Sequence, residues 1–580
     1  MRKFCCFILT LFLATAANCQ SVAFVHVHVI PMDRNIVLPD HTVIVADGVI
    51  KAVGPSATMA PPKDAQVIQG HGQYLVPGLA DMHVHLYFAQ ELWVYVANGV
   101  TTVFNLNGRP ADLNWRTQTA SGMMVGPTIY SAGPTFDHPR TADEAVKEVD
   151  RQAADGYDAI KIYNQVSAAE YSALTAEAHR KNLVLVGHVA REPGFAATLA
   201  AGQNIAHAEE YLYTFFNHDP NPGHELTHSL DAGKIPQAVA MTRASGVSVI
   251  ATLVAYHNIV RQLTALDDYL KNPDMQYLAP SMIEQLRPGM NSYQKRITKE
   301  EIPSMMPNYD FQKKLVKALH DGGVPILAGT DAAWLGVPGF SLLEEIENFQ
   351  DIGFTPYDAL KTATTNAAAL LKQSDAFGSV SVGKRADLIL VSRNPLDDVH
   401  NLRQISGVMV RGKWYSDSDR KALLAQTPSS YTTTVERLTQ QVQGGTRSVD
   451  RYLELNDPFG ELAGAVLGSM ASTLDAQKLD ALLLRVQQSD PKSPLISEEV
   501  INQLGYNLLG KKKSDLALSV FKLNTQLYPR SGNTFDSLAE TYLSLGNKPL
   551  ARQNYQKALE VQLDYPNAEG AKKILATQLQ

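Results

Sequence analysis

Past residue 19 the chain contains no cysteine: its three, Cys5, Cys6 and Cys19, all fall at the amino terminus of 580 residues. A mature chain cut after Cys19 could form no disulfide and use no thiolate. Any metal would then be held by His, Asp, Glu or a modified Lys. Excess positive charge is also missing. The net charge is −7 with His neutral, which argues against nucleic acid or an anionic membrane surface as partner. No apolar run after the first segment is long enough for a membrane helix. The chain is 45% hydrophobic and 19% charged, ordinary for a globular protein, and its length exceeds one domain.

The opening "MRKFCCFILTLFLATAANCQS" has the parts of a secretory signal. Arg2 and Lys3 supply a basic start, Phe4 to Leu13 an apolar stretch too short to span a bilayer, and Ala14, Ala16 and Ala17 the small residues. Cleavage after Ala16 or Cys19 would send the mature chain to the periplasm or outside the cell. Asn18 is larger than the residue that usually precedes a lipid-modified cysteine, which argues against a lipoprotein anchor at Cys19. We take residues 1–19 as the signal peptide.

Residues 20–76 read as strand and turn, with "DG" and Gly signals between β-rich runs. "HVHV" at His26 and His28 looks like ordinary strand alternation. From 77 to 374 the rhythm becomes strand, loop, helix. Eight apolar strands are separated by amphipathic stretches such as "DFQKKLVKALHDGG", the pattern of parallel βαβ units and of a (β/α)8 barrel. Strand character returns over 375–416, where these segments would pair with the amino-terminal strands as one composite small β domain. Residues 417–498 read as a helical linker. In 499–580, Leu516–Pro529 and Leu550–Pro566 resemble each other, with Ala517 and Ala551 as small residues and Phe521 and Tyr555 as aromatics. Their spacing is the tetratricopeptide period, and such a tail could bind a protein partner. The predicted architecture is therefore an α/β barrel flanked by a small β-sandwich, with an all-α carboxy-terminal region.

Functional residues of such barrels lie at the carboxy-terminal strand ends. Strand one ends in His83 and His85, strand four carries Lys161, strand five ends in His188, strand six in His207 and strand eight in Asp331. Alone, each has a bland explanation: HxH recurs at His26, and Asp331 could cap a helix. Together they predict a metal site. Ile160 and Ile162 should face the helix layer and turn Lys161 inward, where an unpaired ammonium is costly. Either the amine loses its proton, or it takes up carbon dioxide and becomes an anionic carbamate able to bridge two metals.

The segments "DMHVHL", "IKIY", "GHV", "IAHAEE" and "GTDA", with "KRADLILV" re-entering the β domain, resemble the amidohydrolase superfamily over roughly residues 21–415. The nearest likeness is to the imidazolonepropionase-like and prolidase-like subgroup with a carboxylated lysine. The resemblance implies two divalent metals, zinc above all. His83, His85 and Asp331 would hold the more buried one, His188 and His207 the more exposed one, and carboxylated Lys161 would bridge them. It further implies a metal-bridging hydroxide attacking a carbonyl, with Asp331 as general acid/base. An Arg-Asp pair common in relatives after strand two is replaced here by Phe104 and Asn105. Tyr163, Tyr256 and His257 are candidate substrate contacts, and Glu209 and Glu210 candidates to orient His207 or its neighbours. The insert Phe215–Asp231 reads as a mobile lid.

The expected activity is hydrolysis of an amide, peptide-like or cyclic amide bond in a small molecule. The same site could serve a lactonase or phosphotriesterase, and a scaffold acting through the helical tail is the competing non-enzymatic reading. Oligomeric state is left open.

Overall fold

In the computed structural model the described residues are 21–137, 140–217, 230–288, 290–333, 335–443 and 448–579. The signal segment and the three histidines of the insert, His218, His224 and His228, lie outside them. No helix among the described residues is long and apolar enough to cross a membrane.

Eight strands drawn from both flanks form one sheet. Five come first: β1 (Val22–Val29), β2 (Leu38–Ala46), β3 (Val49–Pro55), β4 (Gln66–Gln69) and β5 (Tyr74–Pro77). Three follow much later: β14 (Leu388–Val391), β15 (Ile405–Val410) and β16 (Lys413–Ser416). The order is β16-β15-β14-β5-β1-β2-β3, with β4 also on β1. The sandwich expected from sequence is thus one hydrogen-bonded sheet. Phe24, Val43, Leu388 and Met409 share its core. His26 departs from simple alternation. It takes a left-handed φ of 56° at an irregularity in the β1–β2 pairing, and its Nδ1 lies 2.7 Å from Asp40 on the surface.

Between the flanks all eight anticipated strands are present and parallel: β6 (Leu79–Val84), β7 (Val100–Asn105), β8 (Thr128–Ser131), β9 (Ala159–Ile162), β10 (Val184–Gly187), β11 (Asn204–Ala206), β12 (Val249–Ile250) and β13 (Ile326–Leu327). They form two sheets, β6-β7-β8 and β13-β12-β11-β10-β9. Isolated parallel bridges join these at both seams, Val84 with Ala332 and Ala132 with Ala159, but the regular ladders do not close. Alternation sets the inside from the outside. Ala159, Val184 and Val186 meet Ala80 and Met82 in the interior. Ile160, Ile162 and Leu185 instead pack with Val149, Tyr171 and Leu174 of the covering helices. Lys161, between two outward isoleucines, must therefore turn inward.

The carboxy-terminal region is entirely helical, from Asp417–Gln443 to Ala568–Thr577. Ala517, Phe521, Ala551 and Tyr555, the repeated small and aromatic positions, are all buried. The helical region is no detached tail. Leu453, Leu467 and Ile501 share one apolar cluster with Phe88, Met282, Leu286 and Val337 from the loops around the strand ends. Phe459 lies against the Tyr87 ring at 4.7 Å and under the Arg109 guanidinium at 5.0 Å. Gln285 donates to Glu461 at 3.0 Å.

Candidate metal centre

The carboxy-terminal ends of β6, β9, β10, β11 and β13 deliver the anticipated side chains to one place. Lys161 Nζ is 3.2 Å from His83 Nε2. Asp331 Oδ1 is 3.4 Å from His83 Nε2 and 3.0 Å from His85 Nε2. The His207 ring centroid is 4.6 Å from that of His83 and equally 4.6 Å from that of His188. Donor atoms of His83, His207 and Asp331 all lie within 4.8 Å of one another. The His207 ring thus lies at equal distance from those of His83 and His188.

The local backbone is built for this approach. In the pairing of β6 with β7, an extra residue lies between Asp81 and Val84, so the two histidines share the site through an irregularity and not by alternation alone. Two glycines admit the strand ends. A Cβ on Gly187, whose φ is 149°, would fall 2.1 Å from the Ile162 carbonyl oxygen. One on Gly329 would fall 2.9 Å from His83 Cβ. His207, Thr252 and Asp331 all take left-handed φ, 74°, 50° and 53°, a conformation costly for residues with a Cβ and held here by surrounding structure.

Outer contacts fix the imidazoles. His188 Nδ1 pairs with Glu210 Oε1 at 2.8 Å, and His207 Nδ1 with the Thr252 hydroxyl at 2.8 Å; each leaves Nε2 as the remaining ring nitrogen. Glu210, a candidate to orient His207 or its neighbours, thus orients His188 on the neighbouring strand. Its second oxygen accepts from Arg191 at 2.7 Å and from the Val189 amide at 3.1 Å. Asp81, the first residue of "DMHVHL" but not singled out as a site residue, accepts from the His83 amide at 3.3 Å and from the Thr330 hydroxyl at 2.7 Å. It ties β6 to the loop that carries Asp331.

Electrostatics follow burial. Desolvation lowers His83, His188 and His207 from the ordinary imidazole value and keeps them neutral. Desolvation also brings Lys161 down to about 8. Burial pushes Asp331 upward, but His83, His85 and His207 outweigh it and hold the carboxyl well below its ordinary range. Neutral imidazoles beside an ionised carboxylate are the donor set of a divalent transition metal. His83 and His85 both turn Nε2 toward Asp331 Oδ1, so the ring nitrogens that would bind an ion face the carboxylate across the site. The residues fit such an ion.

The site opens into a cavity of about 1060 Å³. Tyr163 and Tyr256 both line it. The Tyr163 ring lies 4.2 Å from that of His188, edge to face, and the Tyr256 hydroxyl donates to Met305 Sδ at 3.6 Å. His257 does not reach the cavity; it stacks on Tyr309 at 4.9 Å. The chain after β12 is a helix, Leu253–Thr264, so successive side chains diverge by about 100° and, of the two, Tyr256 and not His257 lines the cavity. The segment Gln285–Gln312 supplies much of the opposite wall.

A cluster of histidines and an aspartate at parallel strand ends is shared by many hydrolases, so comparison with known proteins is informative. The amidohydrolase family profile matches residues 74–415, more than half of the chain. The chain belongs to the amidohydrolase family. Two curated family relatives are an adenine deaminase of Ruegeria pomeroyi and an imidazolonepropionase of Streptomyces avermitilis. The first is 22% identical over 67% of this chain and 55% of its own length; the second is 24% identical over 60% of this chain and 80% of its own. The chain thus spans little more than half of the adenine deaminase. Among solved structures, a putative prolidase from Bifidobacterium longum superposes with a TM-score of 0.55 at 24% identity. It covers 70% of this chain and 99% of its own, a likeness of fold. All three matches leave a large part of the chain uncovered.

Proposed function

We propose that this amidohydrolase is a metal-dependent hydrolase of a C–N bond in a small amide, peptide-like or cyclic amide substrate. The observation that carries this reading is the convergence of His83, His85, Lys161, His188, His207 and Asp331 at the floor of one cavity. Folding alone does not call for six such groups in one place. In this reading the eight strands act as a (β/α)8 barrel, the four histidines and Asp331 would hold two zinc ions, and Lys161, as a carbamate, would supply a further anionic ligand. The metals would supply an activated water and a Lewis acid for the scissile carbonyl. The remaining chemistry belongs to the chain. Asp331 is ionised and is placed to accept a proton and hand it to the leaving nitrogen. Glu210, which can only accept, holds His188 in the tautomer that carries the proton on Nδ1, and Thr252 orients the His207 ring. Tyr163 and Tyr256 shape the pocket for an apolar group. The carboxy-terminal repeats are of the tetratricopeptide type, and the mature protein is secreted or periplasmic.

The test combines metal analysis with substrate screening. Zinc-loaded protein should contain two metals per chain and hydrolyse at least one member of a panel of dipeptides, N-acyl amino acids and cyclic amides. Lys161→Ala should lose the second metal, with partial rescue by added short carboxylates. Unchanged activity with one metal in Lys161→Ala would remove that ligand role. A protein that binds no metal and cleaves nothing would favour the scaffold.

A further inference from the structure

Three cations line the cavity, and two are already committed. Lys161 lies among the metal-site histidines, and Arg191 is tied to Glu210 at 2.7 Å. The third is Arg296, at the end of the short helix Ser292–Arg296. Its guanidinium lies 4.9 Å from the centre of the Tyr293 ring, over its face. Among the described residues it makes no ion pair, although its charge is felt by the Glu209 carboxyl in the same lining. Stacking on an aromatic face holds the guanidinium plane while its N–H edge stays unused. Across the same cavity Tyr163 stands against His188. Buried in the wall is Gln312, 1% exposed, whose Nε2 has no hydrogen-bond partner. A buried amide donor left unpaired on a residue of the cavity wall is costly unless a ligand meets it.

The geometry points to Arg296 as the receptor for a substrate carboxylate, making the substrate a carboxylate-bearing amide such as a dipeptide or an N-acyl amino acid. This rests on the C–N hydrolase reading above and narrows it. The planar fork of arginine matches a carboxylate with two parallel hydrogen bonds. The rest of the lining argues for an anion of single charge. Asp137, Glu209, Glu301 and Asp331 share the cavity with this one unpaired cation, a poor setting for a dianionic phosphate. Arg296 acts as a binding residue and takes no part in proton transfer. Gln312 is the donor for a second acceptor on the same substrate, such as an acyl-side carbonyl.

The experiment reads binding and turnover separately, on zinc-loaded full chain. A panel of dipeptides and N-acetyl amino acids is titrated calorimetrically beside analogues whose carboxylate is replaced by hydrogen, for wild type, Arg296→Met and Arg296→Lys. Wild type should bind carboxylated members at least 10-fold more tightly than their analogues. Arg296→Met should lose that preference while its affinity for the analogues stays within about twofold, and Arg296→Lys should keep part of it. In turnover the loss should appear in KM more than in kcat. Equal binding of both series by wild type, no binding of any panel member, or an unchanged preference in Arg296→Met would overturn the assignment. Carboxylate-dependent binding without turnover of any member would instead overturn the hydrolase reading and leave Arg296 as an anion receptor.

Discussion

Glu210→Gln tests how the site is held together. The Glu210 side chain is 1% exposed and takes bonds from His188, Arg191 and the Val189 amide. Burial pushes its carboxyl up, but His188 and Arg191 outweigh burial and hold it down at about 2. His188 is itself kept neutral by burial, so at neutral pH it donates a hydrogen bond and Arg191 carries the counter-charge. A carboxyl displaced this far below its ordinary value contributes about 3 kcal/mol to the native state. Because the native value is depressed, that contribution is present above the ordinary carboxyl value of 4.5 and fades as pH falls toward about 2. Gln keeps the shape and one acceptor but leaves Arg191 without its counter-charge. The expected loss is about 1–3 kcal/mol at neutral pH, shrinking toward acid. Metal affinity should fall about 10- to 100-fold as His188 loses its fixed tautomer. Urea unfolding at several pH values and zinc competition titration measure the two effects. Zinc affinity equal to wild type would refute the orienting role. A stability difference that grows toward acid would refute the charge assignment.

Other substitutions probe separate claims. Gly187→Ala would set a Cβ 2.1 Å from the Ile162 carbonyl oxygen, so β10 must shift at its end. Soluble yield should drop, and the protein recovered should hold less metal by elemental analysis. His257→Ala, which removes only the stack on Tyr309, should leave kcat/KM within about twofold, whereas Tyr256→Ala, opening the cavity wall, should raise KM at least several-fold in steady-state assays. Phe459→Ala removes the support behind Tyr87 and Arg109. It should raise KM with kcat and metal content little changed, even though Phe459 belongs to the helical region. Unchanged kinetics would mean that the helical region does not shape the pocket.

Much of the scaffold was legible because each of the eight parallel strands is an apolar run flanked by helical periodicity, and burial on both faces demands that composition. The ligands were legible for a related reason. Polar residues at the ends of otherwise apolar strands stand out, and "HVHL", "IKIY" and "GTDA" break their runs at the same level. What failed was direction. In "NIAHAEE" the strand end at His207 was legible, but not that β11 stops at Ala206 and that Glu209–Tyr211 turns helical. Glu210 is thereby swung toward His188 on the neighbouring strand. "VSVIATLV" likewise stops as a strand at Ile250, which removed His257 from the cavity and brought Thr252 to His207. No local pattern marks Thr252, since a single hydroxyl gains its role only from its neighbour in space; Asp81 opens "DMHVHL", but that motif does not reveal its bond to Thr330. The docking of the helical region was hidden too. An amphipathic helix reveals that one face is covered, not what covers it.

The central claim is that the six converging groups hold metal for hydrolysis of a C–N bond. The most direct measurement strips the full-length protein of metal with a chelator and restores zinc in steps. Bound metal and release of the amine product from the best panel substrate are recorded at each step, for wild type and Asp331→Asn. The account predicts activity that rises with zinc and saturates near two ions per chain, and no recovery in Asp331→Asn at any zinc level. Hydrolysis that survives chelation, or full activity in Asp331→Asn, would contradict it.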